Sequence, residues 1–537
     1  MSTQAGRDDR VIVVGAGLSG IATALAAAVL GRPVTVFEAA DLVGGAAAYS
    51  GGQVWVGANH VAARDGIDDD LERTERYVRG IGGPHPELLD EQALRRWLET
   101  APVAVKYWED LGAVRWTLIR ELADYHTEAS GALASGRYLT GEPVDAVVLG
   151  SWRDRLRTSP YFRPGTTYAD MFLEGRRQTT QAGDADADKL TLGTGLVAGF
   201  LARALLHNDS IRFRLATPVR ALLHDDEGQV IGVRAAGPDG PVEEQGPVVL
   251  ATSTYDWDPA LVEEFLGLSG DDFGSMAPDS IRGDGIRLAR SVGGAVVKIP
   301  ATCVPMVPGW RSVTGTGFVN GPEYAMPHAM IVDQRGRRFC NDSYWVDIVP
   351  KALDPTDPHM PFFLVWDEQH HRKYGLGETP PGGVYPAGLV TSAPTLDGLG
   401  ELLGIDGIQL EATAATFSEH AGRGEDPEFG RGTVEFINRF SGDPSHTPSP
   451  VLGPITEAPF HGLRLRFLGT AIGSSGVRID ADGHVLDNAG AAIPGLYAVG
   501  SCAATTTFGS GYNSGMALGR GLTLAYLVAQ ELAGPRP

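Results

Sequence analysis

The apolar positions of the first forty residues follow two different periods in turn. Val11–Val14 is a short, uncharged, β-branched run, as is typical of a buried parallel strand. An alanine- and leucine-rich stretch follows it to about Leu30, and Gly31 is expected to end this helix. A second β-branched run, Val34–Phe37, predicts another strand directly afterwards. The chain is therefore expected to begin with a strand, a helix and a second strand.

Helical and strand patterns alternate through the rest of the first half. Residues 57–120 are mostly helical in pattern, and Leu190–His207 predicts a further helix. Several short strands are expected after it: Ile211–Leu215, Val219–Asp225, Val230–Ala235 and Gly246–Ala251. This order predicts a three-stranded flap and a final apolar strand that returns to the main sheet.

The middle of the chain differs in character from both ends. From residue 286 to about 456 prolines and aromatic residues become frequent. After it, the pattern of alternating strands and helices returns. We expect a hairpin around Asp482-Gly483, a strand at Ile493–Gly500 and a last helix from Ser514 or Gly515. We therefore predict one discontinuous domain, residues 1–285 and 457–537, around an inserted domain, residues 286–456.

Three glycines lie between the first strand and the first helix. Gly15, Gly17 and Gly20 have G-x-G-x-x-G spacing, and Glu38 ends the second strand. Gly15 permits a tight turn, Gly17 lets the backbone approach a pyrophosphate, and Gly20 allows close packing of helix on strand. The helix N-terminus offers N–H groups to phosphates, and the acid can accept from a ribose 2′-hydroxyl. The arrangement predicts a dinucleotide-binding site.

The acid at Glu38 disfavours a 2′-phosphate and therefore NADP, which leaves NAD and FAD. Two further glycine clusters follow closely, Gly44-Gly45 and Ser50-Gly51-Gly52. Such clusters resemble FAD-binding proteins of the glutathione reductase type, in which this loop lies along the flavin. The resemblance implies non-covalently bound FAD and an α/β fold: a discontinuous Rossmann FAD-binding domain with an inserted α+β substrate domain.

Composition and charge exclude several classes of protein. The 537 residues carry a net charge of -22, which argues against nucleic acid as a partner. The uncharged run at residues 11–31 is long enough for a membrane span, but its glycines and the return to strand argue against one. Three separated cysteines and a polar N-terminus favour a cytoplasmic protein. Metal-ligand spacing is absent, so we expect no metal.

Three features coincide in order along the chain. They are the N-terminal fingerprint, Gly283-Asp284-Gly285, and the sequence IPGLYAVG at residues 493–500 before the last helix. Together they resemble the superfamily of FAD-dependent fumarate reductases and 3-ketosteroid dehydrogenases, over nearly the whole chain. The ketosteroid branch fits best, on residues 124–139, 150–160, 336–344 and from 449 onwards. The resemblance implies that the last helix directs its N-terminus at the flavin ring.

One position ahead of the last helix indicates which class of substrate the chain can bind. Fumarate reductases carry a substrate arginine in a GYNR-like stretch, whereas this chain has Gly511-Tyr512-Asn513-Ser514. Serine cannot clamp a carboxylate with two parallel hydrogen bonds as arginine does. This position therefore argues against a dicarboxylate substrate.

The resemblance implies α,β-dehydrogenation of a ring ketone by tyrosine side chains. Tyr512 would polarise the carbonyl, together with Ser514 and the N–H of Gly515 or Met516. Tyr344 is the candidate base, with Tyr324 as the alternative. Tyr125 would serve as partner in a phenol relay. The sequence Y-N-S-G-M departs from the Y-x-G-x-G of 1-dehydrogenases, so position 1 and position 4 of the ring both stay open.

These inferences give one set of expected cofactor contacts. They are Gly15, Gly17, Leu18, Ser19, Gly20, Glu38, Ala39, Gly44, Gly45, Ser50, Gly51, Gly52, Val219, Ala251, Thr252, Gly500, Ser514, Gly515 and Met516. The expected function is dehydrogenation of a 3-ketosteroid or similar polycyclic ketone, with an external electron acceptor. The alternative is a flavin-dependent reductase or desaturase of a non-steroid secondary metabolite.

Overall fold

A six-stranded sheet joins the two ends of the chain. The structure is a computed structural model that describes residues 10–174, 186, 188–313, 317–319, 321–377 and 379–534. The strands lie in the order His484–Leu486, Ala492–Ala498, Val248–Leu250, Val11–Val14, Val34–Phe37 and Ile211–Arg214. All neighbours are parallel except the pair at the His484–Leu486 edge. The first and last segments thus form one sheet, and the mixed α/β class predicted from sequence is confirmed.

Helices cover this sheet and exclude water from its strands. The first helix, Leu18–Val29, packs against the last helix, Met516–Ala533, and against Leu192–Leu205. Alanine and glycine on the facing sides allow the close approach. The four residues of the first strand are buried, as the uncharged β-branched pattern predicts.

The predicted three-stranded flap is present, but with different strands. Its members are Val219–His224, Val230–Gly237 and Gly240–Gln245, all antiparallel. Ile211–Arg214 lies instead at the edge of the six-stranded sheet. The strand at 240–245 was missed because its sequence, GPVEEQ, is polar and half-exposed and carries little β propensity.

A seven-stranded sheet occupies the middle segment. Its path runs Phe318–Val319, Met306–Arg311, Phe460–Gly469, Phe362–Trp366 and Ala329–Asp333, and Phe273–Ser275 and Thr391–Ala393 also pair with 460–469. The domain boundaries at 286 and 457 stay a prediction. These pairings bear on them, because strand 460–469 lies outside residues 286–456 and yet pairs with three strands inside that range. Strand 273–275, also outside the range, joins the same sheet through strand 460–469.

The remaining elements connect and flank the sheets. The short strand Tyr138–Gly141 pairs with Val54–Trp55 on one side and with Trp116–Leu118 on the other. Two further pairs are Val144–Asp145 with Lys189–Leu190 and Val296–Val297 with Gly476–Val477. The predicted hairpin around Asp482-Gly483 is reduced to one bridge between Ile479 and Val485.

The other helices lie at the surface or in the middle segment. They are Gly45–Tyr49, His60–Arg64, Leu71–Gly80, Glu91–Asp110, Tyr168–Glu174, Pro259–Leu266, Asp284–Ser291, Trp345–Ala352, Glu368–Tyr374, Leu396–Leu403, Gly407–Ala421 and Glu435–Phe440. Short 3-10 segments are Pro86–Leu88, Ala146–Arg155, Ala301–Cys303, Pro322–Ala325 and Gly500–Cys502. Among the residues that the structure describes, we find no helix whose length and apolar content would let it cross a bilayer.

Candidate active site

A cleft of about 1370 Å³ opens where the parallel strands of the six-stranded sheet end. Its walls include the residues that directly follow four of these strands: Gly15, Glu38, Ala251 and Val499. Ligands of open α/β sheets bind at this edge, outside the carboxyl ends of the strands. The cleft also extends to the middle segment, where Phe318 contributes to its wall.

The cleft brings together most of the expected cofactor contacts. The predicted residues along its wall are Gly15, Gly17, Leu18, Ser19, Glu38, Ala39, Gly45, Ser50, Gly51, Gly52, Val219, Ala251, Thr252, Gly500, Ser514 and Gly515. Gly20, Gly44 and Met516 are not part of the wall and lie just behind it. A Cβ on Gly20 would come 2.0 Å from the Gly15 carbonyl oxygen, and the Gly44 N–H donates to the Ala16 carbonyl at 2.8 Å. Met516 is fully buried as the first residue of the last helix.

Glu38 is held in place by backbone amides. The Ala16 N–H donates to Glu38 Oε2 at 2.7 Å, and the Ala40 N–H donates to Oε1 at 2.9 Å. Burial raises the pKa of Glu38, and these two amides with Arg157 oppose the shift. The carboxylate thus ties the turn after the first strand to the end of the second, at the position where the fingerprint expects a ribose contact.

Two helix N-termini point their first turns at the cleft, and both begin at glycine. Gly17 precedes the helix Leu18–Val29, and Gly515 precedes Met516–Ala533; neither offers a side-chain cap. The first N–H groups of the helix Leu18–Val29 are therefore available to an anion. In the last helix the Met516 N–H already donates to the Asn513 carbonyl at 3.2 Å, so the next N–H groups are the ones available to a polar ring edge. A Cβ at Gly17 would find its closest neighbour at 4.0 Å, so the missing side chain leaves open space here. Gly15, Gly17, Leu18, Ser19 and Gly515 fit the pyrophosphate and ring of FAD.

Ser253, in the wall of the cleft, has a left-handed backbone conformation at a position where FAD proteins often have glycine. FAD proteins often have ATGG where this chain has Ala251-Thr252-Ser253-Thr254. Ser253 has a φ of 63° and lines the cleft, so the backbone keeps the conformation that glycine would adopt freely. Ala471, also in the wall, has a φ of 54°. Such non-glycine conformations cost about 1–3 kcal/mol each and tend to occur at functional sites.

The three predicted catalytic tyrosines lie in one aromatic cluster. The Tyr125 ring centroid is 6.4 Å from that of Tyr344 and 6.3 Å from that of Tyr512. Trp345 fills the space between Tyr125 and Tyr512, at 6.0 and 5.7 Å respectively. Phe436 packs on Tyr125 from the other side at 4.1 Å. Residues more than 380 positions apart in sequence are thus in contact beside the cleft.

Within the cluster only Tyr512 reaches the wall of the cleft. Removal from water raises the pKa of Tyr512, and the nearby Tyr125 hydroxyl adds to this shift. Hydrogen bonding of the Tyr512 hydroxyl with the Ser514 side chain and the Gly515 N–H works in the opposite direction. Ser514 in turn donates its hydroxyl hydrogen to Gln53 Oε1. The phenol, the serine and the helix N-terminus are therefore adjacent, as expected.

Tyr344 differs from Tyr512 in its polar surroundings. Its hydroxyl is buried and has no hydrogen-bond partner among the described residues. Burial raises the pKa of Tyr344, and Tyr125, Glu128 and Asp347 raise it further. The alternative, Tyr324, is buried in the segment Pro322–Ala325, where its carbonyl oxygen accepts from Arg431.

A buried amide fastens the tyrosine segments to one another. The Asn513 side-chain oxygen accepts from the Tyr77 hydroxyl at 2.7 Å and from the Tyr125 N–H at 2.9 Å. Its side-chain nitrogen donates to the Tyr138 hydroxyl at 2.8 Å. His126 adds a contact between its Nε2 and the Tyr512 carbonyl at 3.3 Å. These bonds fix residues 124–126 beside 512–514 and so hold Tyr125 against Tyr512.

Several wall residues were missed by the sequence analysis. They are mostly apolar or aromatic, with one amide that holds Ser514: Gln53, Trp257, Phe318, Val319 and Ile472. A single apolar residue in a loop has no signal that separates a substrate pocket from a core. Gln53 directly follows Ser50-Gly51-Gly52, so its place beside the glycine cluster was the one available clue.

Known proteins match this chain over nearly its whole length. The family model described as FAD binding domain matches residues 10–519. The chain is 30% identical to 4-oxocyclohexanecarboxylate 2-dehydrogenase of Sinomonas cyclohexanicum, over 98% of this chain and 92% of the relative. It is 29% identical to 4-oxocyclohex-2-ene-1-carboxylate 5-dehydrogenase of the same organism, over 97% and 93%. It is 26% identical to 3-oxosteroid 1-dehydrogenase of Mycolicibacterium smegmatis, over 98% of both chains.

Solved structures agree with this picture at the level of the fold. The crystal structure of 3-ketosteroid delta1-dehydrogenase from Sterolibacterium denitrificans matches with a TM-score of 0.87 at 24% identity, over 98% of this chain and 99% of that one. The predictions of FAD as cofactor and of an FAD-dependent oxidoreductase are confirmed. With the family model matching residues 10–519, the chain belongs to the FAD binding domain family.

Proposed function

We propose that this chain removes two hydrogens from adjacent ring carbons of a cyclic ketone, with a 3-ketosteroid or similar polycyclic ketone as substrate. The observation that supports this most is the contact of Tyr125, Tyr344 and Tyr512 at one end of an aromatic-lined cleft. Phenols suit the reaction because one can donate to a carbonyl oxygen while another accepts the neighbouring carbon's proton.

Tyr512 is the proposed donor to the ketone oxygen. It lines the cleft at the N-terminus of the last helix, and the Gly515 N–H lies against its hydroxyl. A donor and a helix N-terminus together stabilise the negative charge that develops on an enolate oxygen. Ser514 and Gln53 hold this corner through their mutual hydrogen bond.

Tyr344 is the proposed base for the α-proton, and Tyr125 is the proposed partner that passes the proton onwards. The Tyr344 hydroxyl has no hydrogen-bond partner in the described part of the chain, and Tyr125 lies between its ring and Tyr512 at the wall of the cleft. A substrate would have to reach past the wall to meet this hydroxyl. Its pKa is raised by burial, so the phenolate, once formed, is a strong base. FAD, when bound, supplies the two-electron acceptor for the hydride that leaves the β-carbon.

The finer architecture belongs to the same proposal. The six-stranded sheet with its glycine turn supports a Rossmann FAD-binding domain of the glutathione reductase type that holds FAD without a covalent bond. The seven-stranded sheet supports an inserted α+β domain that closes the cleft with Phe318 and Val319. An external electron acceptor then reoxidises the flavin.

A single-ring keto acid is the second substrate class, and the names of the two Sinomonas cyclohexanicum relatives favour it. Cationic Arg163 and Arg282 in the cleft wall would suit its carboxylate. Position 514 is a serine, so a substrate carboxylate would be held elsewhere than in fumarate reductases.

Steady-state assays with a dye acceptor test the proposal. The purified yellow protein is mixed with 4-androstene-3,17-dione, with 4-oxocyclohexanecarboxylate, or with succinate. Dye reduction by the steroid supports a polycyclic substrate, and reduction by the keto acid alone supports the single-ring class. If neither ketone reduces the dye, but reduced flavin is oxidised by an enone, the physiological direction is reduction, and the proposed dehydrogenation is wrong.

A further inference from the structure

Two histidines and one glutamate meet beside the seven-stranded sheet, away from the cleft. Glu368 and His371 lie one turn apart on the helix Glu368–Tyr374, and His461 lies near the start of the strand Phe460–Gly469. One nitrogen or oxygen from each side chain lies within 4.8 Å of the others. None of the three belongs to the wall of the cleft.

The distances match the edges of a tetrahedral metal site. Glu368 Oε2 is 3.1 Å from His371 Nδ1 and 3.3 Å from His461 Nε2. Ligands bound to zinc at its usual bond lengths of about 2.0–2.1 Å in tetrahedral geometry lie about 3.3 Å from one another. Two histidines and one carboxylate are also a recurrent ligand set for zinc, with water at the fourth position.

The remaining ring nitrogens are occupied in the manner of metal-binding histidines. His371 Nε2 lies 2.8 Å from the Gly383 carbonyl oxygen, and His461 Nδ1 lies 2.8 Å from the Ser392 hydroxyl. Histidines that bind metals nearly always engage their second nitrogen in this way, which fixes the tautomer and the ring orientation.

Counting protons at His371 shows that a cation is needed. A carbonyl oxygen only accepts, so Nε2 must carry hydrogen to bond with Gly383. A neutral imidazole has one N–H, so Nδ1 then presents its lone pair to the Glu368 carboxylate. Two acceptors 3.1 Å apart require a positive charge between them, which a metal ion bound to both would supply.

The surroundings favour an ion that prefers nitrogen ligands. The Tyr385 ring packs against both imidazoles, with centroids 4.7 Å from His371 and 5.5 Å from His461. His461 is buried. The Glu368 side chain is 21% exposed, which gives an ion a route from solvent. Magnesium and calcium prefer sites built entirely from oxygen ligands, and imidazole favours zinc and its neighbours.

We infer that Glu368, His371 and His461 form a binding site for a divalent transition-metal ion, with Zn²⁺ as the probe of choice. The ion would join the helix Glu368–Tyr374 to the strand Phe460–Gly469 and so fasten the outer layer of the seven-stranded sheet. Its ligands lie outside the cleft, so its role is structural and separate from the oxidoreductase activity.

Zinc binding to the flavin-loaded protein tests this site. The protein is freed of metal by a chelator and dialysed against dilute Zn²⁺, and bound zinc is measured by emission spectrometry. We expect one high-affinity ion per chain and a higher melting temperature with zinc. His371→Gln and His461→Gln should each weaken binding by more than about tenfold, because each removes a ligand outright.

Two further variants make the result specific. His484→Gln is the matched control: His484 contacts Asp480 through Nδ1 and Glu531 through Nε2, on opposite edges of its ring, so no ion bridges the three. Ser392→Ala keeps all three ligands and removes the bond that orients His461, so it should weaken binding by about tenfold. Flavin absorbance checks folding in each case.

Failure to bind zinc at stoichiometric level would overturn the site. Binding that is equal in wild type, His371→Gln and His461→Gln would place the ion elsewhere and also overturn it. Neither result bears on the cyclic-ketone proposal, which rests on different residues.

Discussion

Tyr512 lies at the point where the cleft, the last helix and the aromatic cluster meet. Replacing it with phenylalanine removes the donor to the ketone oxygen and leaves the ring packing nearly unchanged. We expect Tyr512→Phe to lower kcat by about 100- to 1000-fold, the usual cost of losing one oxyanion donor. Steady-state kinetics on enzyme with confirmed flavin content measures this.

Tyr526→Phe is the matched control for this substitution. Tyr526 lies on the last helix and packs against Tyr107, outside the wall of the cleft. Its loss should leave kcat unchanged. If Tyr512→Phe behaves like Tyr526→Phe while FAD stays bound, another group must polarise the ketone.

The proposed base predicts how the rate depends on pH. Burial raises the pKa of Tyr344 above its ordinary value of about 10, and the active form of a base is the deprotonated one. Below that pKa the phenolate fraction grows about tenfold per pH unit, so log(kcat/KM) should still be rising at about pH 9. A plateau reached near neutral pH in the pH–rate profile would exclude Tyr344 as the base.

At the scale of residues, motif spacing predicted most of the cofactor contacts but not the full set of residues that line the cleft. Tyr125, Tyr344 and Tyr512 were selected by resemblance, and they lie in contact, although their roles stay predictions. The Glu368, His371 and His461 cluster could not be foreseen. His461 is 90 residues from His371, and only the pairing of strand 460–469 with 362–366 brings the two together.

Among the elements, the first helix depends on Gly20. A Cβ there would lie 2.0 Å from the Gly15 carbonyl oxygen, so Gly20→Ala must displace the helix from the glycine turn. Overpacking of this kind costs about 1–3 kcal/mol, and we expect FAD affinity to fall by about 10- to 100-fold. Flavin retention after dialysis, followed by absorbance, measures the loss.

Gly270→Ala provides the control, because a Cβ at Gly270 meets nothing within 4 Å. Equal flavin retention in both variants would show that the helix tolerates displacement and that the turn does not set FAD affinity.

Elements with strong periodicity were predicted well, and polar ones were not. The last helix Met516–Ala533 begins within two residues of its predicted start, and Glu91–Asp110 lies within the stretch 57–120 predicted as mostly helical, because each has a continuous apolar face. The strand Gly240–Gln245 has none, and its formation depends on the neighbouring strand Val230–Gly237. Whether such a strand forms depends on the strand it pairs with, and the sequence pattern of a single segment does not reveal that partner.

For the whole molecule, a buried ion cluster stabilises the middle segment. Asp342 contacts Arg338 at 2.9 Å and Arg431 at 3.1 Å, and all three side chains are buried. Burial by itself would raise the pKa of Asp342, but the two guanidinium groups hold it below its ordinary value. Asp342→Asn leaves two buried cations short of a partner and should lower the free energy of unfolding by about 3–5 kcal/mol in urea denaturation.

The sign of the pH dependence follows from that lowered pKa. The stability from Asp342 is fully present above the unfolded-state pKa of about 3.9 and is lost as pH falls through the folded-state value. The difference between wild type and Asp342→Asn should therefore shrink on acidification. The surface variant Asp110→Asn, which breaks an exposed pair with Lys106, should change stability by less than about 1 kcal/mol. Equal losses in both variants would contradict the role given to the cluster.

The assembly of the molecule was predicted in outline. Alternating strands and helices gave the α/β class, and the return of the C-terminal strand to the first sheet was expected from IPGLYAVG. The pairing of 460–469 with four other strands was not, because that strand shows no preference in sequence for one sheet over the other. Long-range pairing is set by packing across the whole fold.

The most direct test is the anaerobic reaction of the FAD-loaded protein with one equivalent of a cyclic ketone. Without another acceptor, dehydrogenation must reduce the flavin, so its visible absorbance should be lost as an α,β-unsaturated ketone forms. We expect this with 4-androstene-3,17-dione or 4-oxocyclohexanecarboxylate, and far more slowly in Tyr512→Phe. Unchanged flavin absorbance with every cyclic ketone, or bleaching by succinate instead, would contradict ring-ketone dehydrogenation at this site.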